Sequence, residues 1–342
     1  MNKAGRILSI NPPYALPGGE VLVECENFEI NRNGDFGCFF DGQKARLIGA
    51  SSKRILAIVP DDFDTTEVEV HLESGGERSE SAAITIAKRL AEDLHIVSNP
   101  AVDPTDDSII LTRSGSRGQQ LPVTLFRLEP DGYLQEMMAD MMNPTGAAFD
   151  PKGQLFVTNR ASGEVCRINH DTEVVPVSSE LGIATGIAFD KNGVMYVGDR
   201  SGTVYQVTDF GDSKPFAILE PSVSAYHMAF DPEGNLCVSA PGLSSFDSVY
   251  SFDESGYEND EFYRGLGRPQ GLAFDREGNL YIAACLHARR GIVKILTDKE
   301  AELFVAGMNV IGLCFNRKGE MIIATSDSVY SLPLEIYGTI LN

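Results

Sequence analysis

Basic residues and long apolar runs are both scarce in this sequence. Lysine and arginine total 28 against 49 aspartates and glutamates, which gives a formal net charge of −21 and a pI near 4.6. Such a chain repels phosphates, so nucleic acids and anionic membranes are poor partners. No apolar stretch approaches the roughly 18 residues of a membrane-spanning helix, and the first residues lack the apolar core of a secretion signal. We therefore expect a cytoplasmic protein.

The six cysteines form no C-x-x-C pair. Most stand at strand positions that valine, alanine or leucine fill in sister segments, so we interpret them as reduced core side chains. The alternative is a disulfide between Cys25 and Cys38, which could form if the compartment were oxidising.

A short motif recurs through the carboxy-terminal two thirds of the chain. The clearest copies are residues 146–150, 186–190, 227–231, 271–275 and 312–316, and their last residues lie 40, 41, 44 and 41 positions apart. Each is followed two residues later by glycine and an apolar strand. Repeats of this length built from short strands are typical of propeller blades, and the roughly 250 residues of this region suffice for six.

The first and last blades depart from the pattern. Residues 98–103 and 108–112 are interpreted as the two inner strands of a degenerate first blade, after a charged junction at 88–93. Either 94–97 or 334–337 supplies the last outer strand, and we favour sharing between the two ends of the repeat array. The repeated pattern Gly-apolar-Ala-apolar-Asp-x-x-Gly-x-Leu-Tyr-Val resembles the NHL and regucalcin/gluconolactonase superfamily of six-bladed propellers. This resemblance implies an architecture far more than an activity.

The amino-terminal segment reads as a separate all-β unit. Seven strand signals between residues 7 and 86 are separated by turn clusters such as Pro17-Gly18-Gly19. The segments Ile7-Leu8-Ser9-Ile10-Asn11-Pro12, Phe40-Asp41-Gly42 and Ile58-Val59-Pro60 resemble the IPT/TIG family, which implies an accessory or partner-binding domain. The predicted protein is thus all-β, with an immunoglobulin-like β-sandwich at residues 4–88 and a six-bladed β-propeller at residues 94–342.

The acidic residue that ends each motif is interpreted as structural. Asp150, Asp190, Asp231 and Asp275 stand at the turn after the inner strand, where a carboxylate accepts backbone N–H bonds and the following glycine supplies positive φ.

The candidate site lies at the opposite end of the blades, where inner strands begin and second strands end. We expect ligands there because loops at that end surround the central funnel. The predicted ligand-binding residues are Arg113, Thr145, Asn159, Arg160, Thr185, Asp199, Arg200 and Gln270.

Two ligand-binding interpretations of this site remain open, beside a third in which the protein is a purely structural spacer whose acidic surface serves solubility. The first is cationic: six arginines map near the face and suit a carboxylate or phosphate, so a small anionic molecule or an acidic segment of a partner protein is the leading ligand. Alternatively, Arg160 and Arg200 pair with neighbouring acids and hold the loops in place. The six arginines are Arg113, Arg117, Arg160, Arg200, Arg289 and Arg290.

The second interpretation is enzymatic. The resemblance implies a calcium or zinc ion held by Glu, Asn and Asp side chains, and here only Asn159 and Asp199 match. In a gluconolactonase-like hydrolase this ion would polarise a lactone carbonyl while His227, beside Tyr226, moves a proton. His227 is alternatively a packing residue, and the sequence predicts no cofactor outright.

Overall fold

The structure is a computed structural model that describes residues 5–30, 36–115, 119–208, 211–243, 246–258 and 261–339. These residues form strands and turns and contain no helix, which confirms the all-β prediction. No helix in this part of the chain is therefore long and apolar enough to cross a membrane.

Ten amino-terminal strands form two sheets around one shared apolar core. The strands are β1 (Arg6–Asn11), β2 (Tyr14–Ala15), β3 (Glu20–Glu26), β4 (Phe36–Phe40), β5 (Gln43–Lys44), β6 (Arg46–Ala50), β7 (Arg54–Ile58), β8 (Glu67–Ser74), β9 (Glu77–Arg78) and β10 (Ala82–Ile86). One sheet has the order β1-β3-β7-β6, and the other contains β2-β10-β8-β4-β5, with β9 beside β8. Along β3, buried Val21 and Val23 alternate with partly exposed residues, the pattern of a strand with one core face.

The next 24 strands form six four-stranded sheets. The strands are β11 (Lys88–Ala91), β12 (Ala101–Val102), β13 (Ile109–Thr112), β14 (Leu125–Leu128), β15 (Leu134–Met137), β16 (Pro144–Phe149), β17 (Leu155–Asn159), β18 (Glu164–Ile168), β19 (Val174–Ser178), β20 (Ala184–Phe189), β21 (Met195–Asp199), β22 (Thr203–Val207), β23 (Ser213–Ile218), β24 (His227–Phe230), β25 (Leu236–Ser239), β26 (Asp247–Phe252), β27 (Tyr263–Leu266), β28 (Leu272–Phe274), β29 (Leu280–Leu286), β30 (Arg289–Ile295), β31 (Ala301–Ala306), β32 (Val310–Phe315), β33 (Glu320–Thr325) and β34 (Val329–Pro333).

These sheets are arranged as a ring. Blades 1 to 5 are β12–β15, β16–β19, β20–β23, β24–β27 and β28–β31, and blade 6 is β32–β34 with β11. The first strand of each blade contacts the first strand of the next, and β32 contacts β12. An apolar cluster fills each of the six interfaces between neighbouring blades. A closed circle of four-stranded sheets is a β-propeller, as the repeats predict.

The turn after each inner strand has the predicted form. Asp150 Oδ1 accepts hydrogen bonds from the backbone N–H groups of Lys152 (2.9 Å) and Gln154 (2.8 Å). Gly153 has a φ of 78°, a conformation that favours glycine. Asn316 accepts the corresponding bonds from Lys318 and Glu320. The structural interpretation of the repeated acidic residue is confirmed.

Blade 6 is completed by a strand from the other side of the repeat array. β11 pairs antiparallel with β34, with Lys88 opposite Ser331 and Ala91 opposite Val329. The expected sharing between the two ends of the repeat array is confirmed. However, neither 94–97 nor 334–337 supplies the outer strand, which comes instead from the segment interpreted as a charged junction at 88–93. Outermost strands are edge strands on which charged side chains are common, so Lys88 and Arg89 concealed a strand.

The amino-terminal strands are joined to blade 5 through backbone pairing. β2 pairs parallel with β31, with Tyr14 opposite Val305 and Ala15 opposite Ala306. β2 also pairs with β10, so blade 5 and the second amino-terminal sheet form one continuous sheet. The sequence analysis did not predict β2, because two residues are too short for a periodic signal.

Asn99 joins the first blade to the last two at the centre of the ring. Its side-chain Nδ2 donates to the Leu272 carbonyl of blade 5 (3.0 Å), and its Oδ1 accepts from the Leu313 N–H of blade 6 (3.1 Å). A Cβ atom built on Gly271 or Gly312 would lie within 2 Å of Asn99 Oδ1. The repeat glycines of these blades therefore leave the space that the Asn99 side chain occupies.

Substituting Asn99→Ala should lower the free energy of unfolding by about 2–4 kcal/mol, because the backbone groups of two buried residues, Leu272 and Leu313, lose their partners. The shift is measured by urea denaturation. Asn192→Ala removes an exposed asparagine from a turn of blade 3 and should be nearly neutral. Equal effects of the two substitutions would contradict a closing role for Asn99.

Candidate functional site

The predicted ligand residues lie at one end of the ring, which we call the upper face: the end at which β16, β20, β24, β28 and β32 begin. Thr145, Thr185 and Gln270 stand at or just before the start of inner strands, whereas Asn159 and Asp199 end second strands. Antiparallel order brings these positions to the same end, as expected.

The residues that precede the repeat glycine join neighbouring blades through their backbone. The Thr112 hydroxyl of blade 1 donates to the Thr145 carbonyl of blade 2 (2.7 Å). The Thr158 hydroxyl likewise donates to the Thr185 carbonyl (3.0 Å), and the Ser239 hydroxyl donates to the Gln270 carbonyl (2.6 Å). These positions therefore have a structural role, and only their side chains remain for a ligand.

Thr145 and Thr185 are equivalent in the repeat but differ in their side-chain bonds. The Thr185 hydroxyl donates to the Gly198 carbonyl (3.2 Å) and accepts from the Tyr226 N–H (3.1 Å). The Thr145 hydroxyl is buried and has no hydrogen-bond partner among the described residues. A buried hydroxyl without a partner is unfavourable, so Thr145 is the one of the two that is available to a ligand or water.

Tyr226 and His227 are packing residues by their surroundings. The Tyr226 hydroxyl donates to the Glu220 carbonyl (2.6 Å), and burial raises the pKa of this phenol to about 12. His227 is also buried, and burial lowers its pKa to about 4. It occupies the repeat position that is glycine in blades 2, 3, 5 and 6. A phenol with a pKa near 12 stays protonated and an imidazole with a pKa near 4 stays neutral at pH 7.

Asp199 and Asn159 hold their own loops. Asp199 Oδ1 accepts from the N–H groups of Ile183 (2.8 Å) and Ser201 (2.9 Å), and its Oδ2 accepts from the Ser201 hydroxyl. Asn159 Oδ1 accepts from the Ala161 N–H (3.0 Å).

A divalent cation needs several oxygens that converge on one point, whereas the side-chain oxygens of Asn159 and Asp199 accept turn bonds in adjacent blades. The described residues contain no group of three or more His, Cys, Asp or Glu side chains fit to hold a metal ion. The residues present therefore do not fit the ion that the resemblance implies.

The arginines of the upper face form no ion pair with the acidic residues that the structure describes. The nine ion pairs among the described residues include none of the upper-face guanidinium groups, so the expectation that Arg160 and Arg200 pair with neighbouring acids was wrong. Arg160 makes one long bond, from Nη2 to the Gly115 carbonyl (3.4 Å). The upper-face arginines without an ion pair in the described part of the chain are Arg113, Arg160, Arg200, Arg268 and Arg290.

Two other predicted arginines do not contribute to this set. Arg289 donates to the backbone carbonyls of Asn11 (2.7 Å) and Glu20 (3.1 Å) and to Asn11 Oδ1 (3.0 Å), so it joins blade 5 to the amino-terminal strands. Burial lowers its pKa. Arg117 lies outside the described residues.

Buried polar atoms without partners concentrate at the same face. The described chain has eight such atoms, and six are in upper-face segments. Asn143 Oδ1 and Thr145 Oγ1 are close in sequence at the start of β16, and the neighbouring Pro144 carbonyl accepts from the Ser114 hydroxyl. The six atoms are Arg113 Nε, Asn143 Oδ1, Thr145 Oγ1, Ser178 Oγ, Asp247 Oδ2 and Arg289 Nε. Asn143 was missed by the sequence analysis because only its burial distinguishes it from other loop asparagines.

A cleft of about 570 Å³ opens beside blade 2, away from the axis. It is bounded by the segment after β15 and by the outer strands β18 and β19, and Asn159 lies at its upper end. Asp140, Glu164, Asp171 and Glu173 make it acidic, so it does not suit the anion expected at the upper face.

Comparison with known proteins shows the fold and no family. No protein-family model matches this chain, and no curated protein is similar to it in sequence. A structure described as a gluconolactonase from Xanthomonas campestris is similar to 72% of this chain over 88% of its own length, at 16% identity and a TM-score of 0.58. The virginiamycin B lyase of Staphylococcus aureus matches 72% of this chain and 97% of its own at 14% identity (TM-score 0.51).

One similar structure also includes the amino-terminal strands. It is described as an auxiliary nutrient binding protein from Bacteroides ovatus, and it covers 97% of this chain and 98% of its own at 12% identity, with a TM-score of 0.57. These similarities support the β-propeller fold. At such low identity they show the fold alone.

Valine substitution at the two equivalent threonines tests which hydroxyl is structural. Thr185→Val should lower the free energy of unfolding by about 1–3 kcal/mol, since the buried Tyr226 N–H loses its acceptor. Thr145→Val removes a hydroxyl without a partner and should leave stability unchanged or slightly higher. Urea denaturation of both variants measures the difference, and equal losses would show that the Thr145 hydroxyl is bonded in solution.

The buried His227 should make stability depend on pH. Its folded pKa of about 4 lies below the ordinary 6.5, so protonation favours the unfolded chain and stability falls as the pH drops below 6.5. Between pH 7.5 and pH 5 this contributes a loss of about 2 kcal/mol. His227→Gln should unfold with a correspondingly smaller pH dependence over this range. An unchanged dependence would mean that His227 is already accessible to protons in the folded state.

Proposed function

We propose that this chain is a binding protein whose upper face holds a small anionic molecule or an acidic segment of a partner. The observation that carries the proposal is the set of five upper-face arginines without ion pairs. Guanidinium groups form paired hydrogen bonds with carboxylates and phosphates, so arginines left without acidic partners are suited to an external anion.

The contrast with the opposite end of the ring supports this assignment. There, Arg127 contacts the carboxylates of Asp106 (2.6 Å), Glu129 (2.9 Å) and Asp103 (3.1 Å). Acidic residues outnumber basic ones in the whole chain, 49 to 28, so an arginine that remains without a carboxylate is notable. An anion approaching an otherwise acidic protein meets favourable potential mainly near these side chains.

The buried polar atoms of the upper face support a ligand with several hydrogen-bonding groups. Leaving such an atom without a partner costs about 1–3 kcal/mol. Asn143 Oδ1 accepts hydrogen bonds, whereas the Thr145 hydroxyl can donate or accept them. A ligand that offers both donors and acceptors beside its anionic group would recover this free energy.

For the amino-terminal strands we retain the immunoglobulin-like, IPT/TIG-related accessory unit as part of the proposal. It is supported by the two sheets around one core and by a similar structure that covers nearly the whole chain and is described as nutrient binding. The sheet shared with blade 5 makes this unit a fixed support of the propeller rather than a tethered neighbour.

The alternative is a metal-dependent lactone hydrolase, which the likeness to a gluconolactonase favours. It requires metal ligands, and Asn159 and Asp199 use their oxygens in turns. It also requires a proton carrier near neutral pH, and burial holds the pKa of His227 near 4. The surroundings of these residues favour binding over hydrolysis.

The double variant Arg160→Ala/Arg200→Ala tests the proposal with citrate, inorganic phosphate and a hexaglutamate peptide as probes. Binding of at least one probe to the wild-type protein is expected by titration calorimetry at low salt. The variant should raise its dissociation constant at least tenfold, because two charge-assisted contacts are lost.

The matched control is Arg46→Ala/Arg78→Ala, which makes the same change in net charge on the amino-terminal strands. It should leave the dissociation constant unchanged. Equal affinities of the two double variants, or a wild-type protein that binds none of the three probes, would refute an anionic ligand at the upper face.

A further inference from the structure

We infer that the upper surface of blades 3 and 4 docks an acidic segment of a partner protein that also carries apolar side chains. The inference rests on the proposed function and narrows it to one region of the face and one class of ligand.

Large apolar side chains are exposed in neighbouring upper loops of these two blades and at the upper end of β23. Ile183 is 42% exposed, Val223 46%, Ile218 68% and Leu243 96%. Single exposed apolar residues are common on protein surfaces, whereas contiguous groups mark interaction sites.

Backbone hydrogen bonds show that these loops are contiguous. The Arg200 N–H donates to the Ile183 carbonyl (3.2 Å), and the Arg200 carbonyl accepts from the Ser222 N–H (2.9 Å). The Val223 N–H then donates to the carbonyl of Pro241, two residues before Leu243 (3.0 Å). Ile218 precedes Leu219, whose N–H bonds to Gly202 in the Arg200 turn. We call Ile183, Arg200, Ile218, Val223 and Leu243 the blade 3–4 patch.

The patch is held in shape before any partner binds. Asp199 Oδ1 accepts from the Ile183 N–H (2.8 Å), and the Ser222 hydroxyl donates to the Pro241 carbonyl (2.9 Å). Ile183 and Val223 are therefore exposed on loops that hydrogen bonds hold to their neighbours. A preorganised surface loses less conformational entropy on binding than a flexible one.

The charge of the patch identifies its occupant. Arg200 lies between Ile183 and Val223 in the bonded order and has no ion pair among the described residues. Arg160, in the equivalent turn of blade 2, donates to the Gly115 carbonyl of the blade 1 loop (3.4 Å) and lies outside the patch. A partner that buries the apolar side chains must place a carboxylate at Arg200, since a desolvated charge without a partner is strongly unfavourable. An acidic segment with apolar anchors satisfies both conditions.

Selection of phage-displayed random 15-residue peptides on the full chain tests the inference. Enriched peptides should combine Asp or Glu with Leu, Ile, Phe or Met. A synthetic copy of the most enriched peptide should bind Ile183→Ser/Val223→Ser at least tenfold more weakly than wild type in fluorescence polarisation. The control Leu8→Ser/Ile48→Ser changes two exposed apolar residues of the amino-terminal strands and should bind as wild type does. Thermal midpoints of all variants verify that they are folded.

The outcomes separate the inference from the proposed function. If the peptide binds the serine double variant normally but loses affinity for Arg160→Ala/Arg200→Ala, anion binding stands and the apolar patch is refuted. If both variants bind normally, or no peptide is enriched, acidic-segment docking is refuted, and the citrate, phosphate and hexaglutamate titrations decide the proposed function. Concentration-dependent self-association in sedimentation velocity that the serine double variant abolishes would identify a second copy of this chain as the occupant, and overturn the acidic segment.

Discussion

The structure depends on hydrogen bonds between neighbouring blades where their inner strands meet. Hydroxyls of Thr112, Thr158 and Ser239 each donate to a carbonyl of the next blade, and the Asn99 amide joins the last two blades to the first. Such bonds require the backbones to come close. A Cβ on Gly146 would lie 2.5 Å from the Thr185 carbonyl oxygen, so glycine at this position allows blades 2 and 3 to approach each other.

This constraint also determines what the upper face offers a ligand. The backbone of the innermost ring is occupied by contacts between blades, and the side chains of Tyr226, Thr185 and Asp199 already have hydrogen-bond partners in the protein. What remains lies slightly further out, in the loops that carry arginines and exposed apolar side chains. The proposed binding surface is thereby separated from the contacts that keep the ring closed.

The repeats made the propeller predictable because each blade is a local unit. Turn chemistry at Asp150 and Gly153 involves residues within four positions, so its signal is present in a single stretch of sequence. The pairing of residues 88–91 with 329–333 has no such local signal, and charged residues on β11 hid it. Similarly, β2 has only two residues, which is too short for an alternation of apolar and polar side chains to be recognised.

The repeats predict at which end of the ring the candidate residues lie, but they do not predict what the side chains of these residues contact. The repeats place Thr145 and Thr185 in the same ring of positions, yet only the structure shows that the Thr185 hydroxyl is bonded, whereas the Thr145 hydroxyl has no partner among the residues described. Arg289 begins β30 and Arg200 follows β21 at the same face, but Arg289 contacts Asn11, whereas Arg200 forms no ion pair with any described residue. The partner of a long side chain depends on segments distant in sequence, and the local sequence pattern around an arginine does not indicate which segment that is.

The strand that completes blade 6 has a consequence for synthesis of the chain. β11 is made early, whereas its partner β34 follows about 240 residues later, which at typical rates of translation is on the order of tens of seconds. During this interval the ring stays open and β11 has an unpaired edge. Lys88 and Arg89 place positive charge on that edge and discourage pairing with foreign strands. The charges of Lys88 and Arg89, which are typical of a linker, thus also protect the edge of β11 while the rest of the chain is synthesised.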